Sequence, residues 1–208
     1  WETDLHRSLD ELRITGGEPM MSPNLWKLLD WIETQGDRMN PHMRIAINSN
    51  LGAKQSIIDR FKKKLKGFNN FHLYTSMEAT HKQAEYIRDG LDYGDWFSNL
   101  LHMMVDKVPS EIHNMCTINA LCLETLPELL EKMVWFKSAS KVYGPTLNYT
   151  LNILRFPSFQ SPLVLPDDLR NKFKGDIQKF LNNNVRHLEH MEVNQTQRLI
   201  DYLDVVKT

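Results

Sequence analysis

The chain has 208 residues, with 25 Lys plus Arg against 26 Asp plus Glu and a formal net charge of −1. Hydrophobic residues at 41% and charged residues at 25% lie near the globular average, enough to bury a core and too many apolar residues for disorder. The balanced charge gives no global field for nucleic acid or an anionic membrane, and no apolar run nears the roughly 20 residues of a membrane span, so neither partner is expected.

The opening Trp1 to Asp10 lacks a basic stretch followed by an apolar one and does not read as a signal peptide; a first residue other than Met leads us to expect an internal piece of a longer chain. Leu12 to Thr15 reads as a strand. Ser22 as N-cap and Pro23 at the first helical position open a helix whose apolar stripe is Leu25, Leu28, Leu29 and Ile32. Met43 to Asn48 is the next strand, followed by a helix of Ile57, Ile58, Phe61 and Leu65 whose run Lys62 to Lys66 reads as a wet outer face. Phe71 to Ser76 is a third strand, and helices near Thr80 to Leu91 and Trp96 to Val108 end at Pro109. A fourth strand, Met115 to Ala120, a helix, Leu126 to Ser138, and a fifth strand, Leu147 to Leu154, complete the alternation. Helices near Pro166 to Asn182 and Asn194 to Val206 close the chain.

Strands alternating with helices call for parallel βαβ units buried on both faces. One strand parity is nevertheless largely polar: Arg13 and Thr15; Ala46, Asn48 and Asn50; His72, Tyr74 and Ser76; Thr117 and Asn119; Asn148, Thr150 and Asn152. A barrel turns such a face toward a ligand cavity, whereas an open doubly wound sheet has no place for it. The expected fold is therefore α/β, an incomplete (β/α) barrel of parallel strands over residues 1–165 with a C-terminal helical extension over 166–208.

In such barrels the chemistry sits at the C-terminal strand ends. That rule selects Gly16, Gly17, Glu18 and Pro19; Asn48, Ser49 and Asn50; Ser76 and Glu78; and Asn119. Adjacent glycines let a backbone approach a ligand, and Glu18 offers a negative partner for an ammonium, although a plain glycine turn feeding a helix is the competing reading. Two cysteines, Cys116 and Cys122, are too few for a disulfide framework or a three-thiolate metal or iron–sulfur site. Cys116 reads as a buried small hydrophobe, no metal ligands are expected, and reducing cytoplasm is the expected location. His187 and His190, with Glu189 and Glu192, are weighed as a zinc pair and read instead as a solvated polar helix. Tyr74, Trp135 and Phe136 read as core.

In order, Thr15-Gly16-Gly17-Glu18-Pro19, Asn48-Ser49-Asn50-Leu51-Gly52, Ser76-Met77-Glu78 and then Arg88 fall on successive strand ends and the helix beyond the third. This resembles the radical S-adenosylmethionine (SAM) superfamily, most closely its Twitch- and SPASM-type proteins, from about Leu12 to Arg155. The resemblance implies a partial (β/α)6 TIM-like barrel that holds SAM against a 4Fe-4S cluster and generates a 5′-deoxyadenosyl radical for hydrogen abstraction, with an electron donor as partner. It implies that the backbone of Gly16 and Gly17 with Glu18 holds the methionyl amino group, and that Pro19 stiffens the turn. Asn48, Ser49 and Asn50 occupy the family's Thr-Asn-Gly place. Ser76 would reach the ribose or the carboxylate, and Glu78 stands where many relatives carry Asp. Arg88 would pair with the SAM carboxylate, against the reading of a surface helix arginine, and Asn119 would lie near the adenosine, against that of a strand-capping amide. The family's Cys-x3-Cys-x2-Cys motif is absent, so the first strand and cluster loop are expected upstream of Trp1.

The leading expectation is the core of a radical SAM enzyme acting on a peptide, a protein or a small molecule. The alternative is a non-catalytic SAM-binding or scaffold barrel that has lost the cluster. An ordinary barrel hydrolase or lyase ranks last, because only Glu18 and Glu78 offer acid–base groups. Phe156 to Pro162 is a candidate lid or substrate edge, or a proline-rich connector.

Overall fold

The structure is a computed structural model and describes residues 5–205; Trp1 and the expected helix end at Val206 lie outside them. A short helix α1 (Leu5–Ser8) is followed by β1 (Glu11–Ile14), α2 (Pro23–Gln35), β2 (Arg44–Asn48), α3 (Gln55–Leu65), β3 (Phe71–Ser76), α4 (His81–Ile87) and α5 (Tyr93–Val105). Then come β4 (Glu111–Ile118), α6 (Leu126–Tyr143), β5 (Thr146–Ile153), α7 (Asp167–Asn184) and α8 (His190–Leu203). The five strands are parallel, hydrogen-bonded in the order β1-β2-β3-β4-β5, and the sheet does not close, consistent with a partial TIM-like barrel. The chain divides into two compact units, one running to Thr75 with Asp95–Ile112 and Gly144–Thr146, the other taking Ser76–Gly94, His113–Tyr143 and the chain from Leu147 onward.

In the first unit α2 begins as its sequence dictates. The Ser22 hydroxyl accepts from the Asn24 N–H at 3.3 Å, Pro23 needs no partner at the first helical position, and Leu25, Leu29 and Ile32 are buried. Register pairs Arg13 with Ala46, Ala46 with His72, and Asn48 with Tyr74, so the polar parity lies on one sheet face. On the other parity Ile45, Ile47, Phe71 and Leu73 are fully buried, while Leu12 and Ile14 of β1 are half-buried. Phe61 packs edge-on against Phe71 with ring centroids 5.8 Å apart, which seats α3 on the apolar face. The lysine run of α3 is wet but paired: Lys62 meets Asp59 and Asp106, and Lys64 meets Asp30 and Glu33.

In the second unit Ile118, Leu126, Leu130, Met133 and Phe136 are fully buried, and Trp135, read from sequence as core, is 53% exposed because it sits on the outer side of α6. β4 starts four residues ahead of Met115, since Glu111 and His113 alternate with buried Ile112 and Asn114 rather than forming an apolar run. α8 starts at His190, where Glu189 and Glu192 form a capping box. The solvated-helix reading is corrected at Glu192. This residue is completely buried, pairs with Lys137, and accepts the backbone N–H of Tyr149 at 3.0 Å and of Glu189 at 2.8 Å.

One turn on, Gln195 accepts the Leu151 N–H at 2.6 Å, and Arg198 donates to the Leu151 carbonyl at 3.0 Å. Three side chains of α8 thus occupy main-chain groups of β5, the last strand in the order, where an exposed edge would otherwise template further pairing. Glu192→Ala leaves Lys137 charged and buried without its partner, and urea unfolding is expected to show a loss of about 3–5 kcal/mol, against less than about 1 kcal/mol for Glu189→Gln.

Candidate functional site

The loop after β1 reverses through Gly16 at φ +94° and Gly17 at φ +55°, backbone that side-chain-bearing residues rarely adopt, with nothing within 4 Å of where a Cβ would stand on either. Glu18 then caps the short 3₁₀ turn Pro19–Met21, its carboxylate accepting the Met20 N–H at 3.1 Å, while Pro19 is buried. The same carboxylate reaches the loop after β2, accepting Ser49 Oγ–H at 2.9 Å and the Asn50 N–H at 2.7 Å. Sequence reasoning offered Glu18 to a ligand ammonium; three protein donors already converge on it, so its side chain positions two loops against each other.

The second loop is secured from within as well. Ser49 is 4% exposed, and its oxygen accepts the Leu51 N–H at 3.0 Å; the Asn50 amide oxygen accepts the Gly52 N–H at 2.8 Å. Leu51 is completely buried at φ +53°, a strained conformation for a branched side chain. It is held by Asn99 of α5, whose side chain donates to the Leu51 carbonyl at 2.8 Å and to that of Ala53 at 3.3 Å. Sequence reasoning missed Asn99. Its signal is a lone amide between Trp96 and Leu100 on the otherwise apolar buried stripe of α5. Asn48 carries an orphan: its Oδ1 is buried with no hydrogen-bond partner among the described residues. A buried acceptor left unpaired costs free energy, and a ligand N–H would remove that cost.

In the second unit Glu78, 4% exposed, takes a bidentate pair from Arg88, with Nε to Oε2 at 2.8 Å and Nη2 to Oε1 at 2.5 Å, and accepts the Thr117 N–H at 3.3 Å. Arg88 is thus neither a free surface arginine nor an open fork; its remaining nitrogen, Nη1, makes no hydrogen bond among the described residues. Ser76 is half-buried, and its hydroxyl likewise makes none. Asn119 shapes its own loop, its Oδ1 accepting the Leu121 N–H at 2.8 Å. Thr80 and His81 both bond to Glu128 of α6, at 2.8 and 3.0 Å, and tie the segment after Ser76 to that helix. Phe156 and Phe159 stand 85% and 72% exposed after β5. His187 and His190 fall in different helical segments rather than on one face.

Cys116 and Cys122 are free and fully buried. Burial drives the Cys116 thiol well above its usual range and pushes Cys122 up to about 12. A cluster needs several accessible thiolates, and two protonated, enclosed thiols do not fit it.

The sheet and its loops define a partial TIM-type α/β fold with built loops at the C-terminal ends of its strands. No family model and no curated protein matches the sequence. Among solved structures, a domain of pyruvate-formate lyase-activating enzyme from Bacteroides vulgatus ATCC 8482 superposes with a TM-score of 0.51 at 11% identity, over 81% of this chain and 93% of that one. Native anSMEcpe with bound AdoMet and Cp18Cys peptide gives 0.51 at 12% identity, over 84% of this chain. This chain spans about half of anSMEcpe, 47% of its length. At these identities the shared property is the fold.

Two outcomes follow from the geometry. Glu18→Ala is expected to cost about 1–2 kcal/mol by removing the acceptor of three donors, with amide exchange accelerated at Asn50 before the rest of the first unit. With Cys122 at about 12, about one thiol in ten thousand is ionised at pH 8. Iodoacetamide should therefore leave the native chain unlabelled as pH rises through 8 to 9 and modify both cysteines once urea unfolds it.

Proposed function

We propose that the chain is the SAM-holding core of a radical SAM-type enzyme, a class whose fold it shares. The observation that carries this reading is the orphaned Oδ1 of Asn48 beside the paired loops that Glu18 binds together, with an open glycine turn preceding them. These residues fit the methionyl end of SAM. The exposed turn at Gly16 and Gly17 leaves backbone carbonyls for its amino group, Asn48 Oδ1 supplies an acceptor for an N–H, and Glu18, Pro19, Ser49 and Asn50 hold that arrangement rigid. On the second unit, Ser76 Oγ is assigned to the ribose or the carboxylate and Nη1 of Arg88 to the carboxylate, with Glu78 fixing the guanidinium plane. Asn119 is assigned to the neighbourhood of the adenosine. Bound SAM supplies, in such enzymes, a sulfonium whose reductive cleavage starts hydrogen abstraction; the protein supplies position and exclusion of water.

The cluster thiolates are assigned to a Cys-x3-Cys-x2-Cys loop outside Trp1–Thr208, since the two buried thiols do not fit. A peptide or protein substrate and an electron donor complete the assignment. Native anSMEcpe, with bound AdoMet and a peptide, supports the peptide class. The enclosed thiols favour a second reading, a barrel that binds SAM without turnover.

The chain is expected to bind SAM in a calorimetric titration. Asn48→Ala should weaken binding about tenfold, roughly 1.4 kcal/mol, while leaving the unfolding free energy unchanged, because Oδ1 has no partner to lose among the described residues. No binding at millimolar SAM overturns the reading. Formation of 5′-deoxyadenosine under dithionite, by protein extended through an upstream cysteine loop, separates the enzyme from the scaffold.

A further inference from the structure

The polar face of β1, β2 and β3 carries a built cation that the SAM assignment does not use. Arg13 of β1 stands in register with Ala46 of β2, which is followed in the same row by His72 of β3. Ala46 is completely buried and has the smallest side chain in that row, so the arginine extends across it to the third strand. There Nη2 donates to the Tyr74 hydroxyl at 3.2 Å, and the guanidinium lies over the Tyr74 ring, 4.6 Å from its centroid. Nε donates to Glu11 at 2.9 Å.

Three contacts therefore fix the plane of a side chain that is still 46% exposed, and Nη1 makes no hydrogen bond among the described residues. Such immobilisation removes most of the entropy that a flexible arginine loses on binding a ligand. The local charge is also unbalanced. Glu11 is shared, since Arg44 pairs with its other oxygen, leaving two guanidinium groups on one carboxylate. His72, in the same row, faces Glu111 at 3.4 Å. No lysine lies on β1, β2 or β3, and of the two arginines that share Glu11 it is Arg13 whose fork is held over an aromatic ring, an arrangement suited to one carboxylate rather than to a phosphate. Gly16 follows Arg13 by three residues, roughly 10 Å along an extended chain.

We propose that Arg13 is a substrate-binding residue that receives a carboxylate on this face, making the substrate of the SAM-dependent reaction an acid. The assignment rests on the function proposed above. Ala46 and Tyr74 are its positioning residues: one leaves the passage, the other supplies the platform.

The test uses the full 208-residue chain labelled with 15N at arginine side chains, with the Arg13 Nε–H resonance assigned by its loss in Arg13→Lys. Glutarate is the probe, uncharged glutaramide the control, and SAM binding is measured on the same samples. The expected result is a saturable shift of the Arg13 resonance with glutarate, at least tenfold weaker with glutaramide and in 1 M NaCl. Tyr74→Leu, which removes the platform and keeps the charge, should weaken glutarate binding severalfold, and Arg13→Gln should keep its SAM affinity within twofold. No saturable glutarate shift, or an equal one with glutaramide, overturns the proposal whatever SAM does. Loss of SAM binding in Arg13→Gln overturns it too, by moving Arg13 into the SAM site. A glutarate shift in a chain that does not bind SAM overturns the substrate role and the proposed function together, leaving a carboxylate site alone.

Discussion

The Glu18 carboxylate is the constraint on which the first unit's loops depend. Two glycines at positive φ give the turn after β1 its shape but no rigidity, and the loop after β2 carries a strained Leu51. Glu18 resolves both by accepting from Met20 in its own loop and from Ser49 and Asn50 in the next. Asn99 completes the enclosure from α5. With Ser49 and Asn50 held in this way, Asn48 ends β2 with a buried oxygen that no donor among the described residues reaches. An unsatisfied acceptor persists only where the surroundings over-determine it, and that is the physical basis for reading a ligand there.

The second unit applies the same economy of ionised groups. Glu78 and Arg88 hold each other in a bidentate pair, a geometry that orients the guanidinium while damping its charge. Glu192 is buried outright and collects an ammonium and two backbone N–H groups, which compensates its desolvation and binds α8 to the edge of β5. An open parallel sheet leaves its terminal strands unprotected. Here α8 supplies at β5 the acceptors and donor that a further strand would have supplied.

Much of the fold was legible in the residues. Ser22-Pro23 announces α2, the polar parity announces a two-faced sheet, and Gly16-Gly17 marks the turn after β1. The errors have specific causes. Trp135 reads as core together with Phe136, yet adjacent helical residues point to different sides, and only Phe136 is buried. Glu192 reads as part of a solvated polar helix, and the partner that permits its burial, Lys137, lies 55 residues away in the chain. Tyr74, assigned to the core, is half-buried and serves as the platform for Arg13.

The sequence by itself determined the alternation of strand and helix, the two-faced character of the strands and the identity of the loops that carry polar residues. Those properties follow from local periodicity and backbone preference, which neighbours in the chain supply. Only the tertiary structure decided what each ionised group meets. Glu18 reaches across 31 and 32 residues to Ser49 and Asn50, Arg13 across 61 to Tyr74, and Lys137 across 55 to Glu192. An isolated carboxylate or guanidinium has no preference among such partners. The choice is made when packing removes water and leaves each charge only the counterparts within reach.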